Sequence, residues 1–516
     1  MMKTMVISEE EANWSCLPGE LLDRIGHCLV KLKYFIRFQA VCKSWRVAQS
    51  RSRFRQSMPW LMLPHCRDTI SDSATAARVG CKGSDCCRCF YDPEDRTFHH
   101  IELPQALDKT CRGSAFGWVF MREKLPSVML LNPLSKDEIY LPPITAFPDV
   151  LGFRPELARR EYLFVNQDGL RVAEGKKTME RHFIFRVCLS AEPTSEECIV
   201  MVIRKFDDHT LAFCRPNHDD RWTLIPRGGN NPDLPKLISF EDIVFWRGQF
   251  YTINYTGKVY VCDLSLPHYP KLSLFLDEFS RTSKIFRSAS HFYLLTSPAH
   301  DELMVITRHV SCPDYDDDEL ETVNPHVRYP ENEDGGVVSD DEWIDDDDDD
   351  EDLPSDNEQI DDDDDDSDDY HPEFLPGNDG GHGRVDIYGV DSELDDNDDA
   401  DANETQLLTD KFRVFKAMEG RNGWEEVEGI GDFALFLGYN KPTWVSTREH
   451  PELAPNSIYF TDNMTSLHRR RKVAGADMGV YDLTTHTISP FYCTSSVHKN
   501  PSLIFPLPIW VLPSNY

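Results

Sequence analysis

The sequence predicts a small all-α unit followed by an all-β domain, the latter broken by a long disordered acidic insert. Three observations carry that prediction. Residues 12–55 place apolar side chains at helical spacing, and beyond residue 60 the apolar residues fall into short runs rich in Val, Ile, Phe, Tyr and Trp. Residues 313–404 hold 41 of the chain's 89 acidic residues and only two of its 54 basic ones, Arg328 and Arg384. The domains expected are therefore a flexible tail over 1–11, a helical unit over 12–55 and a β domain over 60–516 interrupted at 313–404.

The helical unit starts near Leu17-Pro18. Proline suits the first turn of a helix, where its missing N–H has no partner to lose, and Glu20 and Asp23 favour the positive end of the helix dipole. Leu21, Leu22, Ile25, Cys28 and Leu29 form one apolar stripe, and Phe35, Phe38, Val41, Cys42 and Trp45 form a second after the break at Lys31 to Lys33. Two or three short helices follow. A unit of about forty residues is too small to bury a full core, so part of its apolar face is expected to be covered by a partner.

The run Leu17-Pro18-Gly19-Glu20-Leu21-Leu22-Asp23-Arg24-Ile25, followed by Arg37-Phe38-Gln39-Ala40-Val41-Cys42-Lys43-Ser44-Trp45-Arg46, resembles an F-box. The resemblance implies a helix set that docks a Skp-family adaptor and, through it, a cullin scaffold. It implies adaptor binding by Leu17, Pro18, Leu21, Leu22 and Ile25, with Val41, Cys42, Trp45 and Arg46 of the second half of the unit counted among the adaptor-binding residues.

In the β domain, strands are expected at Ala115–Met121, Ser127–Leu131, His182–Leu189, Cys198–Arg204, Asp242–Trp246, Gln249–Asn254, Val259–Asp263, Phe292–Thr296, Leu303–Ile306, Phe412–Ala417, Phe433–Leu437 and Ser457–Phe460. Asp242 to Leu264 reads as a three-stranded meander with turns at Arg247-Gly248 and Thr256-Gly257. Four apolar runs end in Asp or Asn: Phe90-Tyr91-Asp92, Leu130-Leu131-Asn132, Val261-Cys262-Asp263 and Val480-Tyr481-Asp482. Their intervals are 40, 131 and 219 residues, the last shrinking to 127 without the 92-residue insert. The two long intervals are each close to three times 42–44 residues, a blade-sized period. The 345 residues of 80–516 outside the insert then accommodate a β-propeller of six to eight blades, seven being the central value.

The strings Phe245-Trp246-Arg247-Gly248-Gln249-Phe250-Tyr251, Gly431 to Asn440, Ser457 to Asp462 and Pro508-Ile509-Trp510-Val511-Leu512-Pro513 resemble the carboxyl-terminal domain of a large plant F-box family of the KIB type. That resemblance implies a β-propeller and leaves the target open. The residues quoted are strand and turn formers, so they read as blade core and hairpin turns in preference to substrate contacts.

The formal net charge of −35 belongs to the insert. Outside it 48 acidic and 52 basic residues nearly balance. Asp345 to Asp350 and Asp361 to Asp366 are unbroken runs with few large apolar residues between them, so repulsion and lack of burial predict disorder. The segment lacks the Gly and terminal Glu spacing of an EF-hand, which argues against a specific calcium site. A tolerated surface loop is the plain reading, and attraction of basic proteins such as histones is the functional one.

No apolar run reaches the length of a membrane span, and Met1 to Glu11 resembles neither a secretory signal nor a transit peptide, so a cytoplasmic or nuclear protein with free thiols is expected. Cys66, Cys81, Cys86, Cys87 and Cys89, with His99 and His100, lack a second paired Cys spacing and read as thiols, not as a zinc site. Arg469 to Lys472 reads as a solvated loop more readily than as a nuclear address. No nucleophile elbow, phosphate-cradling loop or His-Glu-x₂-His motif is present, so neither a catalytic residue nor a cofactor is expected. A polyanion does not bind nucleic acid, and the near-neutral remainder is no phosphate-binding footprint. The function expected is that of a non-catalytic substrate-recognition subunit of a cullin-type (SCF) ubiquitin ligase, holding an unknown target on the propeller. The alternative is a nuclear interaction factor whose acidic insert binds basic proteins.

Overall fold

The computed structural model describes residues 14, 17–28, 38, 41–48, 58–65 and most of 87–311 and 408–513, with its widest breaks at 226–233, 278–285, 463–476 and 491–507. The tail 1–11 and the insert 313–404 lie outside the described residues.

Two helices come first, α1 (Gly19–Cys28) and α2 (Lys43–Ala48). Pro18 stands one residue before α1, where its carbonyl accepts N–H from Leu21 and Leu22 at 3.0 and 3.2 Å. It thus opens the helix from outside the first turn.

All other long elements are strands. The first sheet holds β1 (Trp60–His65), β2 (Cys87–Asp92) and β3 (Thr97–Glu102). The second is a meander of β4 (Thr110–Ala115), β5 (Trp118–Arg122), β6 (Val128–Leu131) and β7 (Glu138–Leu141). A smaller sheet follows, β8 (Val150–Phe153), β9 (Tyr162–Val165) and β10 (Arg171–Glu174). The third four-stranded sheet is β11 (Ile184–Leu189), β12 (Val200–Lys205), β13 (His209–Cys214) and β14 (Thr223–Leu224). The fourth is β15 (Phe240–Trp246), β16 (Gln249–Asn254), β17 (Val259–Asp263) and β18 (Lys271–Leu276). The fifth is β19 (His291–Thr296), β20 (Leu303–Ser311), β21 (Leu408–Ala417) and β22 (Trp424–Val427). The sixth runs β24-β23-β25-β26-β27, from β23 (Phe433–Leu437), β24 (Thr443–Ser446), β25 (Ser457–Phe460), β26 (Gly479–Asp482) and β27 (Thr487–Pro490). The last strand, β28 (Ile509–Val511), returns to pair antiparallel with β1, Leu61 facing Trp510.

Apolar side chains join these sheets in succession. Trp60, Phe90 and Ile509 of the first sheet meet Met129 of the second. Trp118 and Phe120 of the second share a core with Val200 of the third and with Tyr162 and Phe164 of the three-stranded sheet. Met201 and Phe213 pack with Phe240 and Tyr260, Ile253 and Val259 with Phe292 and Phe415, and Val414 with Leu435 and Tyr481. Phe436 of the sixth sheet then meets Leu61, Tyr91 and Trp510 of the first. The three-stranded sheet is not a link of its own in this succession: a Cβ on Gly113 of β4 would lie 3.3 Å from the Cβ of Val187 in β11. The second and third four-stranded sheets are therefore direct neighbours.

The meander expected at Asp242 to Leu264 is β15–β16–β17. Arg247 and Gly248 both have positive φ (47° and 79°) between the paired residues Trp246 and Gln249, the two-residue turn that matches strand twist. The expected single strand Ala115–Met121 is instead a hairpin. It breaks at Phe116-Gly117, with φ of 52° and 78°, because glycine readily takes the second turn position while a rare left-handed phenylalanine hides the first. The insert leaves β20 and re-enters β21, whose pairing continues to Ser311 opposite Leu408.

Candidate functional site

The helical unit divides its apolar residues between an interior and an exposed face. Leu22 is 1% exposed and Phe38 is buried, whereas Leu21 is 45% and Val41 55% exposed. Leu17, Ile25, Cys42 and Trp45 are half-buried and Pro18 is exposed. Arg46 lies within α2, but its side chain is outside the described residues. The Trp45 ring packs on Phe38 at a centroid distance of 4.5 Å, and its Nε1 donates to the Trp14 carbonyl at 2.9 Å. The unit thus anchors Trp45 and Leu22 while leaving Leu21 and Val41 on the surface. Cys42 Sγ lies 3.0 Å from Ser44 Oγ, and this contact, with a backbone bond at Trp45, holds the thiol below its usual pKa.

A second site lies in the β domain. A cavity of about 340 Å³ is lined by residues of β4, β11, β15, β19, β23, β24 and the loops beside them. Its walls are mostly apolar, and Arg186, Asp242 and Asn440 in it are buried. Arg186, 5% exposed, places its guanidinium over the rings of Phe185, Tyr293 and Tyr439 at 5.0, 5.6 and 5.6 Å. Its Nε lies 3.6 Å from Asp242 Oδ1, inside ion-pair range and beyond hydrogen-bond distance. Nε and Nη2 of Arg186 make no hydrogen bond. Asp242 Oδ2 accepts the Leu294 N–H at 2.7 Å, and burial pushes the Asp242 carboxyl up to about 6 against the pull of Arg186. Asn440 donates through Nδ2 to the carbonyls of Phe436 and Lys441 at 3.0 and 2.8 Å, which fixes its amide, and its Oδ1 is buried without a hydrogen bond.

The comparisons with known proteins place these features in a family. The model of the KIB1-4 β-propeller matches residues 90–482. The chain belongs to the KIB1-4 β-propeller family. Relatives in Arabidopsis thaliana include an F-box/kelch-repeat protein, 27% identical over 259 residues, which make up 49% of this chain and 57% of that protein. A putative F-box protein is 25% identical over 312 residues (59% and 69%), and the F-box protein SKIP23 is 24% identical over 262 (49% and 56%). The chain spans about half the length of the first curated relatives it matches.

With the propeller established, the cavity has a place in it. Strands β4, β11, β15 and β19 each open their sheets, and consecutive sheets present them to the same space. Arg186, Asp242 and Asn440 were not among the residues singled out from sequence. The usable signal is a charge inside an apolar run, as in Phe183-Ile184-Phe185-Arg186-Val187-Cys188-Leu189.

Of the cysteine cluster, Cys66, Cys81 and Cys86 lie outside the described residues, and Cys89 is buried in β2. His99 stacks on Trp60 at 4.5 Å and sits 3.6 Å from Asp92, which gives it a packing role. Among the described residues one trio, Glu94, His450 and Glu452, presents ligand atoms within 4.8 Å of one another, with His450 Nδ1 3.1 Å from Glu452 Oε1. No helix among the described residues is long and apolar enough to cross a membrane.

Proposed function

We propose that the protein is the substrate-recognition subunit of an SCF-type ubiquitin ligase. Residues 12–55 act as the F-box, a six-bladed ring closed by β28 on β1 holds the target, and 313–404 is a loop outside the fold. The reading rests on one observation above others. A chain of the KIB1-4 propeller family, whose relatives carry F-box in their names, presents exposed Leu21 and Val41 beside buried Leu22 on its helical unit. An apolar pair left outside so small a core is suited to a Skp-family adaptor. The adaptor in turn brings a cullin scaffold and a ubiquitin-conjugating enzyme close to the target. Rate enhancement then comes from proximity, with no catalytic residue in this chain and no cofactor. Such a complex works in the cytoplasm, the nucleus or both.

The test is adaptor binding. Replacing Leu17 and Pro18 together by Ala weakens it by about 2–4 kcal/mol, the range for losing central interface anchors. Undiminished co-purification of adaptor with a variant lacking 12–55 refutes the proposal.

A further inference from the structure

We infer that the cavity around Arg186 is a binding site for a carboxylate carried on an apolar body, with the Arg186 guanidinium as its anchor. Three features of the cavity argue for this chemistry. First, Arg186 lines the cavity, is 5% exposed, and makes no hydrogen bond through Nε or Nη2, its nearest carboxylate being Asp242 Oδ1 at 3.6 Å from Nε. A buried cation held by one carboxylate beyond hydrogen-bond distance is poorly satisfied until an acceptor enters, and a carboxylate is an acceptor that suits a guanidinium. Second, three rings, Phe185, Tyr293 and Tyr439, surround the guanidinium and hold it in place, so the guanidinium is preorganised. Third, a cavity of about 340 Å³ with mostly apolar walls has the size and lining of a small-ligand pocket.

The neighbouring charges select against other anions. Asp242 Oδ1 stands 3.6 Å from Nε and repels a dianion such as phosphate more strongly than a single carboxylate. Lys441, whose Nζ lies 4.6 Å from the Phe116 ring centre, adds one positive charge to the cavity wall. The Asp242 carboxyl, raised to about 6 by burial, can take a proton at modest cost when a second carboxylate enters. The carboxylate has two possible sources, a free small acid or the end of a polypeptide. The cavity carries the inference by itself, and only the polypeptide source rests on the receptor function proposed above.

The full chain would be titrated calorimetrically with 3-phenylpropanoate and, separately, with a library of decapeptides ending in a free carboxylate, each against its amide. Binding of an acid at least about tenfold tighter than its amide supports the site, and the arm that binds names the source. Arg186→Lys keeps the charge and loses the guanidinium, so acid binding falls about tenfold or more while the melting curve shows whether the fold survives. Asp242→Asn, nearly isosteric, removes the competing carboxylate and tightens acid binding several-fold, which keeps the test alive should the arginine variant unfold. Equal binding of acid and amide, or no binding in either arm by the native chain and Asp242→Asn, overturns the inference. Adaptor co-purification from the same preparation is independent of these titrations, so failure of the cavity and failure of the F-box are told apart.

Discussion

Asp92, Asn132, Asp263 and Asp482 do the same job in four different sheets. Each stands at the end of the strand next to the outer edge, Asn132 one residue past it, and each turns its Oδ1 back to accept the backbone N–H two residues on: Glu94 at 2.9 Å, Leu134 at 3.0 Å, Ser265 at 2.9 Å and Thr484 at 2.7 Å. The repeat seen in the sequence is therefore an Asx-turn shared by four of the sheets. It was legible because the turn needs a short side-chain oxygen at a fixed place. Asp482 is held below its usual value by the Thr484 and Thr485 turn, and Asp263 by Ser265. A carboxylate with a lowered folded pKa contributes stability that is complete above the ordinary value of 3.8 and is lost as pH falls through it toward the folded one. Asp482→Ala is expected to lower stability by about 0.5–1 kcal/mol at neutral pH, a modest hydrogen-bond value for a solvated turn. The deficit should vanish in acid-side denaturation curves; a pH-independent deficit would assign the loss to something other than the carboxylate.

The cysteines give a second measurement at this scale. Burial pushes Cys111 up to about 11, and Cys188 and Cys262 to about 12, whereas Cys42 is lowered by Ser44 and lies half-buried on the helical unit. Limited alkylation of the native chain near about pH 8 should label Cys42 ahead of these three, read by peptide mass spectrometry, because the thiolate is the reactive species. Bound adaptor should slow that labelling if the helical face is the docking site. Faster labelling of Cys111 than of Cys42 would contradict the order of burial.

At the scale of elements, the strands that alternate or run apolar were legible almost to the residue. Gln249–Asn254, Val259–Asp263, Phe433–Leu437 and Ser457–Phe460 have the bounds expected of them. Outer strands were not: β18 alternates poorly in burial, β27 is exposed along its length, and β14 has two residues, so none carries an apolar period. Equally hidden were the polar joints between sheets. Arg308 of β20, fully buried, donates to Thr409 Oγ1 at 2.7 Å, the Thr461 carbonyl at 2.9 Å and Asp477 Oδ2 at 2.9 Å. Thr409, on β21 beside the point where the acidic segment re-enters, also donates its N–H to Asp477 at 3.1 Å. These residues are far apart in sequence, so no local pattern announces them. Asp477→Ala leaves Arg308 charged, buried and without its carboxylate, and a loss of about 3–5 kcal/mol follows. Urea unfolding would measure it, and a loss below 1 kcal/mol, roughly the value of a surface pair, would show that Arg308 is satisfied without Asp477.

At the scale of the whole molecule, the cavity and the attachment of the acidic segment lie at opposite ends of one sheet. Strand β19 runs toward the cavity, which Leu294 to Thr296 help to line, and β20 starts there with Leu303 opposite Thr296. It then runs away to Ser311, where the acidic segment departs. A local charge of −39 is thus attached at the end of the fifth sheet remote from Arg186. If the segment is the loop proposed above, deleting 313–404 and closing the β20–β21 hairpin with a short Gly/Ser turn should leave the melting temperature within a few degrees, since Ser311 and Leu408 are already paired. Partner capture by the intact and deleted chains at low and high salt then tests what the charge does. Recruitment predicts partners rich in Lys and Arg on the intact chain alone, mostly released at high salt, while ligands of the cavity persist in both. An identical partner set at every salt concentration would make the segment a tolerated loop, and a large fall in melting temperature would show that it packs against the propeller.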